Sequence, residues 1–255
     1  MYRNFENVNE RINTQDGLSR KISIVNVSVG YDIKFSIIQN LNATFSQGDF
    51  IVLLGRNGQG KSTLLKTIVS ILKPISGEIK SNIPIKSFLQ SVAYVPSTIE
   101  IHGYITVYEY ISYGRYQHTN YMGTLKENDK VAINKAIIML GIEELQNRLF
   151  STLSDGEKQK CHIARAIAQE PLFLILDEPT SHLDLPMKRT ILKILHTISE
   201  HNIGILLSTH DIHTIMEISK TIWFVENQEC FIVNENQNYP LELQRFFDDS
   251  GIKKA

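Results

Sequence analysis

Cysteine is scarce: only Cys161 and Cys230 occur among 255 residues. Their spacing fits neither a metal site nor a redox pair, which excludes a disulfide scaffold and a zinc ribbon and fits a reducing compartment. An excess of either charge is also lacking, because 26 Lys and Arg face 27 Asp and Glu for a formal net charge of −1. There is thus no electrostatic case for a nucleic-acid partner. No apolar run approaches the roughly 18 residues that span a bilayer, and the first stretch, MYRNFENVNERINTQDGLSR, lacks the apolar core of a secretory signal. Any membrane role is expected to come through a partner. Internal repeats are absent.

What is present suits one large globular domain or two intimately packed subdomains, with 42% hydrophobic and 21% charged residues. Residues 1–20 offer few apolar positions and are expected to form a mobile lead-in. The main domain is expected over 21–225, with a helical subdomain at about 97–169 and a tail at 226–255 made of a hairpin and a short helix. Short β-rich runs (ISIVNVSV, KFSII, NATF) between turn signals predict an antiparallel flank over 22–50. LFLIL at 172–176 and IGILL at 203–207 are unbroken apolar runs, the pattern of parallel strands covered on both faces. Helices are predicted over about 61–72, 129–140, 154–169, 187–201 and 212–219.

The segment GRNGQGKST, residues 55–63, satisfies G-x-x-x-x-G-K-[ST] after a strand and at the start of a helix. Gly55, Gly58 and Gly60 allow the tight turn that aims backbone N–H groups at phosphate oxygens, and the helix N-terminus adds partial positive charge. Lys61 brings a point charge to the phosphates. Ser62 is expected on Mg²⁺, and Thr63 on phosphate or nearby backbone.

LFLILDEPTSHLD places Asp177 and Glu178 at the C-terminal end of a buried strand, where open parallel sheets hold their ligands. Asp177 fits the role of holding Mg²⁺ through its water shell, and Glu178 that of polarising the water that attacks the γ-phosphorus. His210, after the next strand, is expected at the same sheet edge in contact with the γ-phosphate. His213 completes H-x-x-H but has no third ligand, so a zinc site is rejected.

LSDGEKQK, residues 153–160, precedes the LFLILDE strand by one helix. Ser154 and Glu157 form an S-x-x-E capping box whatever else they do, and a capped helix start with Ser154 and Gly156 exposed is itself an anion site. Together with the phosphate loop, this segment resembles the ABC ATPases. That resemblance implies an α/β fold, a P-loop NTPase (RecA-like) core with an antiparallel β flank and an inserted helical subdomain. It also implies ATP and Mg²⁺ as cofactors and a hydrolytic site completed in trans by a second copy.

By the same resemblance Tyr31 stacks on adenine, and Gly55, Asn57, Gly58, Gly60, Lys61, Ser62 and Thr63 bind ATP. Ser154, Gly156 and Asp184 reach the partner's ATP, Ser181 to Asp184 cross the dimer interface, and Glu178, His210 and Lys61 carry catalysis. Asp155 and Glu157 depart from the family's Leu-Ser-Gly-Gly-Gln, with Lys158 and Lys160 to offset their charge. Ser97 stands where the family has a metal-reaching glutamine. A metal contact there then runs through water, or coupling relies on Thr98 or Glu100.

TVYEYISYGRYQHTNYMG, residues 106–123, followed by LSDGEKQK and ARAIAQEP, looks like the ATPases of iron-siderophore, haem and cobalamin importers. The resemblance implies a separate membrane permease, an indirect link to a substrate-binding protein, and a place on the cytoplasmic face of the membrane. Exporter subunits and low-turnover ATP-binding modules are the alternatives. Six of the ten tyrosines (Tyr104, Tyr108, Tyr110, Tyr113, Tyr116 and Tyr121) fall where the family docks a permease helix. Several, Tyr110 and Tyr113 among them, are expected to line that groove.

Overall fold

A computed structural model describes residues 19–32, 34–101, 103–120, 123–211, 221–234 and 243. Residues 1–18 of the lead-in, the helix expected at 212–219 with His213, Tyr121 and all of the tail beyond residue 234 except Leu243 lie outside the described residues.

The core is a six-stranded sheet in the order β5-β6-β7-β3-β8-β9. Its strands are β3 (Phe50–Leu54), β5 (Val92–Val95), β6 (Phe173–Leu176), β7 (Gly204–Thr209), β8 (Thr221–Glu226) and β9 (Glu229–Asn234). The first five run parallel, and β9 closes the edge as an antiparallel hairpin with β8. All residues of β6 and β7 are buried, which is why these strands read as unbroken apolar runs rather than alternating ones. Successive residues still face opposite sides. Val52, Leu54, Leu174, Leu176, Ile205 and Leu207 belong to one core layer, and Ile51, Leu53, Phe173, Ile175 and Leu206 to the other.

The second layer is roofed by a three-stranded antiparallel sheet in the order β2-β1-β4, from β1 (Lys21–Val29), β2 (Ile38–Ser46) and β4 (Ser76–Ser81). The first two were expected. β4, SGEIKS, has almost nothing of a strand in its sequence and is formed by pairing with β1, Ile24 opposite Ile79. Helix α1 (Lys61–Ile68) ends four residues short of the predicted 72, because Ser70 adopts φ 62° and the Ile71 and Leu72 N–H groups both fold back on the Lys66 carbonyl. α2 (Ile85–Ser91) leads directly into β5.

On the first layer lie α3 (Val107–Ser112), α4 (Glu127–Leu140), α5 (Asp155–Ile167) and α6 (Leu185–Glu200). Three are capped by side chains: Ser154 with Glu157 at α5, as the sequence predicts, and also Thr106 with Glu109 at α3 and Asp184, with Pro186 following, at α6. Gly114 is required by proximity, since a Cβ there would lie 2.2 Å from the Arg165 carbonyl oxygen. Its neighbour Arg115 is buried. Arg115 Nε donates to Asp129 Oδ1 (2.9 Å), and Nη1 to the Ala168 carbonyl and Glu170 Oε2 (2.8 Å each), tying α4 to the end of α5. Burial pushes the Cys161 thiol up to about 12, as befits a core residue.

Tyr110 corrects an expectation. It is 0% exposed rather than groove-lining, because α3 turns that face onto α5: Tyr110 Oη and His162 Nδ1 share a 2.6 Å hydrogen bond, and the Arg165 guanidinium sits 5.2 Å from the ring centroid. Tyr104, Tyr113 and Tyr116 are exposed, at 91%, 48% and 71%.

Tyr110→Ala is therefore expected to destabilise the protein by about 3–5 kcal/mol through an unfilled cavity, and Tyr110→Phe by about 1–2 kcal/mol through the orphaned His162 nitrogen. Urea unfolding measures both. Burial first, then the Arg165 and Lys158 charges, push His162 down to about 4. Between that value and the unfolded histidine's ~6.5 the unfolded chain binds more protons, so the contribution is complete above about pH 6.5 and is lost as pH falls toward 4. Unfolding free energy should fall by about 3 kcal/mol across this window, and His162→Gln should flatten the drop.

Candidate functional site

The phosphate loop leaves β3 at Gly55, where a Cβ would lie 2.6 Å from the Val225 carbonyl oxygen. Gly58 and Gly60 adopt φ 83° and 92°, and a Cβ on Gly60 would also strike Ile37, so the turn needs glycine on conformational and steric grounds. α1 begins with no side-chain cap and no acidic residue in its first turn, which leaves its N–H groups to an anion. Lys61 is 5% exposed, and its Nζ donates to the carbonyls of Gly55 (2.8 Å) and Arg56 (3.1 Å). Ser62 is half-buried, Thr63 is buried and Asn57 is exposed.

The acidic pair follows β6. Asp177 is 2% exposed; its N–H donates to the Val95 carbonyl, and its Oδ1 accepts the Ser208 hydroxyl at 2.7 Å. Glu178 has φ 51°. Its Oε1 lies 3.3 Å from Lys61 Nζ and its Oε2 2.8 Å from His210 Nδ1. The three expected catalytic residues thus meet at one carboxylate. Tyr31, 71% exposed, brings its hydroxyl within 3.4 Å of Thr63 Oγ1 and leaves its ring open to a stacking partner.

Ser97, just past β5, is exposed. The side chain of that strand that reaches the acidic pair is instead that of Tyr94, whose hydroxyl lies 3.5 Å from Asp177 Oδ2. Burial, then the Asp177 charge, keep this phenol protonated far above its ordinary range. A tyrosine in the middle of a short strand carries no local signal of this contact. Ser208 went unmarked for the same reason, as did the 2.8 Å ion pair of Lys188 with Asp211, which ties the start of α6 to the segment after His210. A cavity of about 150 Å³ opens between these elements, lined by Glu178, Thr180, Ser181, Lys188, His210 and Asp211 among others.

The remaining expected residues form a second cluster. Ser154 Oγ and N–H both donate to Glu157 Oε2 at 2.8 Å. The Ser154 backbone N–H, then its hydroxyl, hold Glu157 below the usual carboxylate range, with help from Arg148 and Lys160. Arg148 Nη1 lies 3.5 Å from Glu157 and Lys158 3.8 Å from Asp155, so the neutralising cation at Glu157 includes one outside the motif. Gly156 is buried rather than exposed: a Cβ there would lie 2.8 Å from Met187 Cε, because the first turn of α6 covers it. Asp184 Oδ1 accepts the Met187 N–H and caps α6. Among the described residues, no hydrogen bond or ion pair joins Ser154, Gly156 or Asp184 to the phosphate loop.

Residues 38–181, more than half of the chain, match the family model for the ABC transporter domain. The chain is 34% identical over 199 residues to the iron(3+)-hydroxamate import ATP-binding protein FhuC of Bacillus subtilis, covering 75% of this chain and 74% of that protein. It is 32% identical over 229 residues to the zinc transport system ATP-binding protein AdcC of Streptococcus pneumoniae, covering 85% and 97%. Among solved structures, one of an inward-facing metal-chelate type ABC transporter superposes with a TM-score of 0.80 at 30% identity, over 90% of this chain and 89% of that one. These matches join a complete phosphate loop on a parallel sheet, and the chain belongs to the ABC transporter family as an ATP-binding subunit, an ATPase that powers transport.

Proposed function

We propose that this subunit hydrolyses Mg-ATP with Glu178 as the water-polarising base, as one half of a head-to-tail pair on a separate membrane permease, for uptake of an iron-siderophore-type metal chelate. The observation that carries the chemistry is the convergence of Lys61 and His210 on the two oxygens of Glu178. A carboxylate held on both sides has one orientation, and a fixed base beside a bound γ-phosphate is what in-line attack by water requires. Lys61 holds the phosphates and His210 keeps Glu178 aimed. Ser181 helps fix the same turn, donating from both its hydroxyl and its N–H to the Glu178 carbonyl.

The residues present fit magnesium. One buried carboxylate, Asp177, follows β6 and one hydroxyl, Ser62, lies in the first turn of α1, and no group of three His, Cys, Asp or Glu that could hold a metal occurs among the described residues. Magnesium takes few protein oxygens and completes its shell with water and phosphate. When bound, the ion offsets the phosphate charge that repels the incoming water.

The pairing rests on the separation of the two clusters. Among the described residues no hydrogen bond or ion pair joins Ser154, at the start of α5, to the phosphate loop of its own chain, and a second copy is the natural source of its partner nucleotide. The permease reading rests on the exposed side chains of Tyr104, Tyr113 and Tyr116, since tyrosine combines apolar area with a polar tip. No described helix is long and apolar enough to cross a membrane. The permease would hold this chain at the cytoplasmic face, with any binding protein reached indirectly. The chelate reading rests on the likeness to the iron-hydroxamate relative and the metal-chelate transporter.

Glu178→Gln should lower steady-state ATP turnover by about a hundredfold or more while leaving ATP binding intact, and should elute as a dimer on gel filtration in Mg-ATP. Unchanged turnover would remove Glu178 from the chemistry. Tyr104→Ala and Tyr116→Ala should leave the isolated subunit's ATPase rate unaltered yet abolish most of its stimulation by the co-purified permease; full stimulation would place docking elsewhere.

A further inference from the structure

We infer that Ser208 is a positioning residue that sets Asp177 and Glu178 relative to one another, an inference that rests on the Mg-ATP reading above. Ser208 is 0% exposed, on the strand that separates the phosphate loop's strand from that of the acidic pair. Leu176 pairs with Leu207 in the parallel ladder, so Asp177 and Ser208 are the next residues on adjacent strands, while Leu53 flanks Ser208 on the other side.

A serine hydroxyl has one proton to give and two lone pairs. Here the Glu178 N–H donates to Ser208 Oγ at 2.9 Å, and the hydroxyl proton is spent on Asp177 Oδ1 at 2.7 Å. One buried atom therefore fixes the side chain of the metal-side carboxylate and the backbone of the water-side carboxylate together. It matters at Glu178, where φ is 51°, a conformation that persists in a non-glycine residue only when its surroundings over-determine it. With Oδ1 held, Asp177 Oδ2 is the oxygen that would remain for a hydrated metal ion, and the Tyr94 hydroxyl lies 3.5 Å from it. Nothing in this arrangement needs Ser208 to touch nucleotide or metal.

The test uses the full chain with a fluorescent ATP analogue, titrated with Mg²⁺ after binding in EDTA, and steady-state turnover alongside. Ser208→Ala should bind the analogue in EDTA as the unmodified protein does, since the phosphate loop is intact. It should need about ten- to a hundredfold more Mg²⁺ for the metal-dependent gain in binding, the span of one hydrogen bond to a buried charge. Turnover should fall over the same range, and Ser208→Thr, which keeps the hydroxyl, should recover most of both. A Ser208→Ala protein that titrates with Mg²⁺ like the unmodified one overturns the inference, as does one that also loses binding in EDTA, or a Ser208→Thr protein impaired as badly. Asp177→Asn run in parallel separates the two failures. If Asp177→Asn loses the Mg²⁺ response and Ser208→Ala keeps it, only the role of Ser208 falls; if Asp177→Asn keeps it, the metal assignment falls and the role of Ser208 with it.

Discussion

In the six-stranded sheet β7 lies between β3 and β6, and the site depends on that order. Neighbouring strands stand about 4.8 Å apart, so the ends of β3 and β6 are separated by roughly 10 Å. At that distance the phosphate loop and the acidic pair cannot meet through backbone, and a phosphate has room between them. The gap is closed by side chains of the right reach. Lys61 extends along its loop and arrives 3.3 Å from Glu178, while His210, leaving the intervening strand, takes the other oxygen. A change of strand order would leave every motif intact and the site unassembled.

The two helix starts that bear on phosphate differ in what they offer an anion. α1 has no side-chain cap and no acid in its first turn, so its N–H groups and dipole are free for phosphate. α5 carries Asp155 and Glu157, and Glu157 already takes both the hydroxyl and the N–H of Ser154. Phosphate must displace a carboxylate to reach Ser154, at the cost of hydrogen bonds to a charged group of about 1.5–3 kcal/mol each. α5 alone is thus a poor anion site. In the proposed pair the nucleotide would be committed to α1 first, and α5 would respond only when a second copy presents that nucleotide already bound.

What the sequence made legible follows the reach of its signals. The phosphate loop, the acidic pair, the capping box at Ser154 and the parallel strands are local patterns, and each is where its pattern put it. β4 escaped because SGEIKS owes its conformation to β1 rather than to its own residues, and Ser208 and Tyr94 escaped because one hydroxyl among strand residues has no spacing to betray it. Gly156 was misjudged as exposed: the motif describes α5 but not α6, whose Met187 covers it. Arg115 with Asp129 shows the same limit, since two charges 14 residues apart become a buried pair only when α4 packs on α5.

Tyr110 illustrates how that packing bears on function. It lies on α3 with its ring 6.4 Å from the exposed Tyr113, and its hydroxyl bonds His162, eight residues along α5 from Ser154. Drawing α3 away from α5 would strand a buried phenol and a buried imidazole nitrogen, each costing about 1–3 kcal/mol, besides breaking the contact with Arg165. With Gly114 seated against the Arg165 carbonyl and Arg115 bonded to that of Ala168, sliding is opposed as well as separation. α3 and α5 are therefore constrained to move as one body. A permease that gripped the exposed tyrosines, as proposed, would act on the helix that starts at Ser154, and the link between them would be a buried hydrogen bond rather than a flexible loop.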